Sequence, residues 1–212
     1  MKIHHVRRLS STSYMKGQIF YAQAKKGDID AARKLVSTII HLPEKLHEKS
    51  GFICPVMKPS GNRLPYALAE YFANNTNLVL YDSVFLQNNP HGSSMIERMY
   101  YQPSFSGFVK PGKYVIVDDV YTTGQTIKSL KNYIESSGGE VISAWCIGSG
   151  PSLEFEPTRL ELKMLISRFP NITDYFDISL LTVPQINYLM RLTDIRHLWR
   201  KHSDNQLNMM YS

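Results

Sequence analysis

The sequence predicts an α/β domain, a parallel sheet flanked by helices, with a helical addition at its C-terminal end. Three observations carry this. Strand-like and helix-like segments alternate from residue 51 to residue 147, the pattern of a parallel sheet with crossover helices. The run Tyr114–Val117, "YVIV", is dry enough for a central strand covered on both faces. After Gly150 the alternation stops and helical patterning alone follows. The resulting organisation is a basic N-terminal segment 1–50, a core 51–150 and a helical C-terminal addition 151–212.

Each element has its own signal. Residues 28–48 read as a helix, with Asp28 or Asp30 as N-cap, Ala32, Leu35, Val36, Ile39 and Ile40 at helical spacing, and a break or kink at Pro43. A strand is expected at Gly51–Val56, followed by the loop "MKPSGNR". A helix starting near Pro65 and ending at Asn74-Asn75 comes next, then a strand over Leu78–Leu86. Residues 87–112 show no period and are rich in Gly, Pro, Ser and Asn, as in lids and binding loops. The "YVIV" strand precedes a helix with Ile127, Leu130 and Ile134 on one face, closed by Gly138-Gly139. The last core strand is Val141–Ile147. Two further helices are expected in "EPTRLELKMLISRF" and in "PQINYLMRLTDIRHLWRKH", the second capped by Thr182 with Pro184 in its first turn.

Composition narrows the class. With 43% hydrophobic and 20% charged residues, the chain suits an ordinary globular protein. No apolar run approaches the roughly 18 residues that spanning a bilayer needs, and the N-terminus lacks the apolar stretch of a secretory signal. A cytoplasmic protein without membrane contact is the expectation. Cys54 and Cys146 lie in apolar strand-like runs and read as small core residues. The formal charge of +6 resides entirely in residues 1–50, where ten Lys/Arg face four Asp/Glu; the remainder holds fourteen of each. That segment is either a solvated helix face or a surface for nucleic acid or an acidic partner. Likewise, the basic segment with Arg191, Arg196, Trp199, Arg200 and Lys201 either packs on the domain or meets a partner. "GSG" at 148–150 lacks a third glycine and reads as a turn.

The chemistry concentrates where "YVIV" ends. Asp118 and Asp119 follow it directly, then the turn Thr122–Thr126, "TTGQT", which opens a helix. Ligands of open α/β sheets bind at the carboxyl ends of strands. Adjacent carboxylates there need water, metal or ligand hydroxyls to satisfy them. A helix N-terminus offers unpaired N–H groups and partial positive charge, suited to a phosphate. Gly124 permits close backbone approach, and Thr122, Thr123 and Thr126 add hydroxyls. A sugar phosphate needs both parts, acceptors for its hydroxyls and a cradle for its phosphate.

The run "VIVDDVYTTGQT" resembles the phosphoribosyl-pyrophosphate (PRPP) motif of type I phosphoribosyltransferases, and its "DDVYTTG" core is most similar to the competence-protein branch. The resemblance extends more loosely over residues 51–147. It implies a Rossmann-like sheet, transfer of 5-phosphoribosyl from PRPP to a nitrogenous acceptor in nucleotide metabolism, and release of pyrophosphate. It implies Mg²⁺ held mainly through PRPP and water, with no dedicated protein metal site, and a homodimer. Asp118 and Asp119 would take the ribose hydroxyls, Asp119 more directly because neighbouring strand side chains point to opposite faces. Thr122, Thr123, Gly124, Gln125 and Thr126 would cradle the 5′-phosphate. The loop "PVMKPSGNRLP" stands where the family meets pyrophosphate, implicating Lys58, Ser60, Gly61, Asn62 and Arg63, although it departs from the usual compact basic-glycine turn. Residues 87–112, with His91 and Arg98, stand where the family has a closing loop, and Arg98 is the expected contact to the leaving pyrophosphate.

Two departures bear on the acceptor. Relatives acting on 6-oxopurines carry an aspartate where this chain has Thr122, which argues against hypoxanthine or guanine. The zinc-binding cysteines of many competence-type relatives have no counterpart here. The acceptor hood would come from residues 1–50, the C-terminal helices, or both. The alternative is a non-catalytic sensor that retains a PRPP or nucleotide pocket and binds nucleic acid or a protein partner, which the basic segment and the atypical pyrophosphate loop favour.

Overall fold

The computed structural model describes residues 7–41, 50–58, 61–88, 94–100, 102–149 and 154–195. Five strands form one parallel sheet: β1 (Arg7–Arg8), β7 (Gly139–Ser149), β6 (Gly112–Tyr121), β2 (Ser50–Pro55) and β3 (Asn77–Leu80), in that spatial order. β6 lies at the centre. Its alternating side chains supply both cores, Val115 and Val117 on one face and Tyr114 and Ile116 on the other. All four are fully buried, as a central strand requires.

On the first face pack α1 (Thr12–Lys16), α2 (Tyr21–Lys25), α3 (Ile29–Ile39) and α4 (Leu64–Asn75). Leu35 and Val36 of α3 and Leu68 and Phe72 of α4 meet Ile53, Val117, Trp145 and Ile147 of the sheet. The Asp28 side chain accepts from the Ala31 amide and so caps α3. α3 is tied to α4 by a two-pronged bridge, Arg33 Nε and NH2 to the Glu70 carboxylate at 2.7 and 2.8 Å. The other face carries α6 (Gln125–Ser136), with Ile127, Leu130 and Ile134 against Ile116, Val141 and Ala144. Cys54 and Cys146 are free, buried thiols in this core, and burial pushes both up to about 12.

Several expectations need correction. The helix expected over 28–48 ends at Ile39, where Ile40 is already extended; Pro43 and the residues to 49 lie outside the described residues. The single strand expected over Leu78–Leu86 is two. β3 stops at Leu80, the Tyr81 amide still bonds to Ile53 O, and the chain then turns through Asp82-Ser83 into β4 (Val84–Asn88). β4 pairs antiparallel with β5 (Ser104–Gly107) in a separate two-stranded sheet. The region 87–112 therefore carries regular structure, including the short helix α5 (Glu97–Tyr100). Asp118 and Asp119 do not follow a strand; β6 continues past them to Tyr121.

Residues 1–50 contribute more than a helix. β1 joins the sheet edge, its Arg7 and Arg8 in register with Trp145 and Cys146. The C-terminal addition has its own core, built from α7 (Arg159–Arg168), a 3₁₀ turn at Ile172–Asp174 and α8 (Val183–Leu189). Leu165, Phe169, Ile172, Phe176, Ile186 and Leu189 bury one another there, and Met99 of α5 joins them. α8 is shorter than expected; Arg196, Trp199, Arg200 and Lys201 lie outside the described residues. The addition docks through polar contacts to α6: Lys128 Nζ donates to Ser179 O (2.8 Å) and Leu181 O (2.7 Å), and Lys131 pairs with Glu156 at 3.0 Å. Among the described residues no helix is long and apolar enough to cross a membrane.

Candidate functional site

A cavity of about 560 Å³ opens at the carboxyl end of β6. Asp118 and Asp119 both line it, at 9% and 5% exposure. Their side chains alternate across the strand, so one pocket meets a carboxylate from each face of the sheet. Asp118 Oδ1 accepts from the Asp119 amide at 2.8 Å. Burial, and then the adjacent Asp119 charge, push the Asp118 carboxyl well above its ordinary value.

Asp119 is met by a residue that sequence reading missed. Lys25 Nζ, at the end of α2, lies 2.6 Å from Asp119 Oδ2. Burial works against the Lys25 ammonium, but the Asp119 charge and hydrogen bond outweigh it, and the net shift is upward. The local sequence "YAQAKK" carries no sign of this contact, which spans 94 positions. The available clue was general: a nearly buried carboxylate needs a cation or donor from somewhere.

The turn after β6 forms the far wall. Thr122 to Ile127 all border the cavity. Gly124 has φ +77°, and a Cβ there would stand 2.6 Å from the Tyr121 ring and 2.9 Å from Phe155 Cβ. Glycine is thus required both by conformation and by space. The turn feeds α6 directly, and the Lys128 amide donates back to Gly124 O at 2.9 Å. Its side chains face different ways. Thr122 is exposed and accepts a long bond from Arg98 NH1 at 3.5 Å. Thr123 is buried, and its Oγ1 accepts from the Gln125 amide at 3.4 Å. The Gln125 side chain turns toward the rest of the fold, donating to the Gln102 side chain and to Leu180 O. Gln125 therefore brings its backbone to the turn and ties its amide group to the C-terminal addition.

Lys58, Gly61 and Asn62 reach the same cavity from the loop after β2. Asn62 Oδ1 accepts from the Leu64 amide, which starts α4. Arg63 stands at the helix entrance, its amide bonded to Ala24 O at 3.0 Å. Ser60 and His91 lie outside the described residues. Arg98 arrives on α5, and that helix is held by the C-terminal addition: the Tyr100 ring stacks on Phe176 with centroids 4.7 Å apart, and Gln185 Nε2 donates to Arg98 O. Three separate segments thus bring cations, Lys25, Lys58 and Arg98, to a pocket floored by two carboxylates. The arrangement can hold a ligand with hydroxyls at one end and anionic groups at others.

No protein-family model matches the chain. Over 136 residues it is 33% identical to Protein TraN of Escherichia coli, a match covering 58% of this chain and 30% of TraN. An uncharacterized protein of Haemophilus influenzae is 29% identical over 126 residues, covering 54% of this chain and 28% of that protein. The matched region spans less than a third of the length of either curated relative. Among solved structures, orotate phosphoribosyltransferase from Aeropyrum pernix superposes with a TM-score of 0.38 at 19% identity, covering 67% of each chain. Purine phosphoribosyltransferase from Pyrococcus horikoshii gives 0.34 at 12% identity, covering 68% of this chain and 89% of that one. These scores are low, and the assignment to the parallel α/β class rests on the sheet order and two-faced packing of the chain itself.

Proposed function

We propose that the chain binds PRPP in the β6 cavity and transfers its 5-phosphoribosyl group to a nitrogenous acceptor. One observation carries the reading: two buried carboxylates and a glycine-centred helix entrance, all within one motif, border the same cavity. A ribose diol donates to carboxylates, and a phosphate suits the amides and dipole of a helix N-terminus. In this reading Thr122–Thr126 hold the 5′-phosphate while Asp118 and Asp119 accept from the ribose hydroxyls. The C1–O bond breaks with its electron pair leaving on pyrophosphate, and the acceptor nitrogen forms the new bond to C1. Arg98 and Lys58 offset the charge that collects on the leaving group, and the carboxylates favour positive charge on the sugar. The fixed geometry supplies most of the rest.

Among the described residues no three His, Cys, Asp or Glu side chains gather as a metal site. The two hard carboxylates suit a Mg²⁺ that keeps most of its shell from ligand oxygens and water. Bound there, the ion would screen the pyrophosphate charge.

The sensor reading draws support from one contact. The Lys25–Asp119 pair fastens the basic N-terminal segment to the pocket, so occupancy of the pocket bears directly on that segment. Calorimetry with PRPP and Mg²⁺, followed by pyrophosphate release with a panel of bases, separates the readings. Transfer predicts saturable PRPP binding, release with one class of base, and a loss of about tenfold or more in PRPP affinity for Asp119→Asn. Tight binding without release from any base supports the sensor. Absence of PRPP binding refutes transfer, and absence of nucleotide binding as well refutes the sensor.

A further inference from the structure

We infer that Lys25 is a ligand-binding residue of this cavity and selects ligands that carry an anionic group beside the ribose diol; the inference rests on the PRPP reading of the site. Asp119 Oδ2 has two claimants. Lys25 Nζ stands 2.6 Å from Asp119 Oδ2, along one of the directions from which a sugar hydroxyl would donate to that carboxylate. The carboxylate has lone pairs for both, but a diol drawn close to Asp119 competes with the ammonium for the same oxygen.

The partner that moves is the lysine. Asp119 sits within β6, its side chain 8% accessible, whereas the Lys25 side chain is 37% accessible on a flexible four-carbon stem. The backbone below it is fixed: Ala24 is fully buried, and its carbonyl accepts from the Arg63 and Gly27 amides. Gly27 in turn lies close against Gly61, where an added Cβ would come within 3.3 Å of the Gly61 carbonyl oxygen. Only the side chain has room to respond, and it opens onto the cavity shared with Lys58 and Arg98.

Displacement has a different outcome for different ligands. Ribose 5-phosphate brings the diol and the distant phosphate but no anion at C1, so the displaced ammonium loses its acceptor and gains none. PRPP brings a pyrophosphoryl group beside the diol, and the ammonium, with three donors, exchanges a carboxylate for phosphoryl oxygen. Lys25 therefore favours PRPP and disfavours ribose 5-phosphate. A lysine that only props up Asp119 would affect the two ligands alike.

The test measures the affinities of PRPP and ribose 5-phosphate, each with Mg²⁺, for the intact chain and for Lys25→Met. PRPP affinity is expected to fall roughly ten- to a hundredfold, the usual effect of losing a charged hydrogen bond, while ribose 5-phosphate binds as tightly as before or more tightly. Lys26→Met, at an exposed neighbouring position, should change neither. Parallel losses for both ligands, or no change for either, overturn the inference while leaving the PRPP reading intact. If the unaltered chain binds no PRPP, the reading and the inference fall together. Should the methionine variant unfold, Lys25→Gln keeps a donor to Asp119 without the charge, and the same divergence between ligands is expected.

Discussion

Substituting Gly124 by alanine tests the turn at its tightest point. Two costs add. At φ +77° a side chain is strained by about 1–2 kcal/mol. The new methyl would also stand 2.6 Å from Tyr121 Cε2, 2.9 Å from Phe155 Cβ and 3.0 Å from the Tyr121 hydroxyl. Neither ring can retreat easily, because the Tyr121 hydroxyl is bonded to Glu154 O at 2.7 Å and both residues are at most 1% exposed. Overpacking of this kind costs about 1–3 kcal/mol, giving a total of roughly 2–5 kcal/mol. For a chain of this length that corresponds to a fall in melting temperature of roughly 5–15 °C. Thermal and urea unfolding followed by circular dichroism measure it. Gly124→Asn separates the two costs, since asparagine tolerates positive φ but carries the same Cβ. Asparagine should recover at most the conformational part, about 1–2 kcal/mol, and leave the steric part. If the alanine variant melts within about two degrees of the parent, or if asparagine brings full recovery, the steric argument is wrong.

Two further outcomes follow from the docking of the C-terminal addition. Phe155→Ala, which empties a fully buried site beside the Tyr121–Gly124 turn, should cost about 3–5 kcal/mol in urea unfolding; full stability would show that the addition does not support the turn. Lys128 is held down at about 8, chiefly by burial, against Ser179 O and Leu181 O. Its proton is bound more weakly folded than unfolded, so its contribution to stability rises as pH climbs from about 8 toward the unfolded value near 10.5. The buried thiols of Cys54 and Cys146, raised to about 12, act oppositely above their unfolded value, so the informative quantity is the difference between the parent and Lys128→Met. That difference should grow between pH 8 and 10; a constant or shrinking difference refutes the assignment.

The parts of the fold legible in the sequence are those whose signal is local. Four dry positions in a row, Tyr114–Val117, read as a central strand and the glycine-bearing turn as a helix entrance, but the continuation of the strand through Asp118 and Asp119 to Tyr121 was not legible. Asp118 and Asp119 were legible as cavity-lining residues for a similar reason, since adjacent carboxylates directly after a dry run demand partners. What stayed hidden depends on distant partners. β1 is two arginines long and is a strand only because β7 lies beside it. α1 and α2 have five residues each, too few for a helical period to show. The run Leu78–Leu86 looked continuous because its apolar residues outweighed Asp82-Ser83, yet Tyr81 packs against Phe52 and Tyr114 and the chain leaves the sheet there. Lys25 was illegible for the strongest version of this reason: its role exists only once α2 and β6 are side by side.

The position of β1 has a consequence for the order in which the molecule assembles. Leu9 and Ser10 donate to Cys146 O and Ile147 O, and Thr12 Oγ1 donates to Ser149 O. Residues 7–12 therefore find their place only after β7, the last strand of this sheet in chain order, has been made. Closing so long a loop is slow compared with local helix formation. The edge strand β1 is thus among the last parts of the sheet to pair, although it comes first among the sheet's strands in chain order.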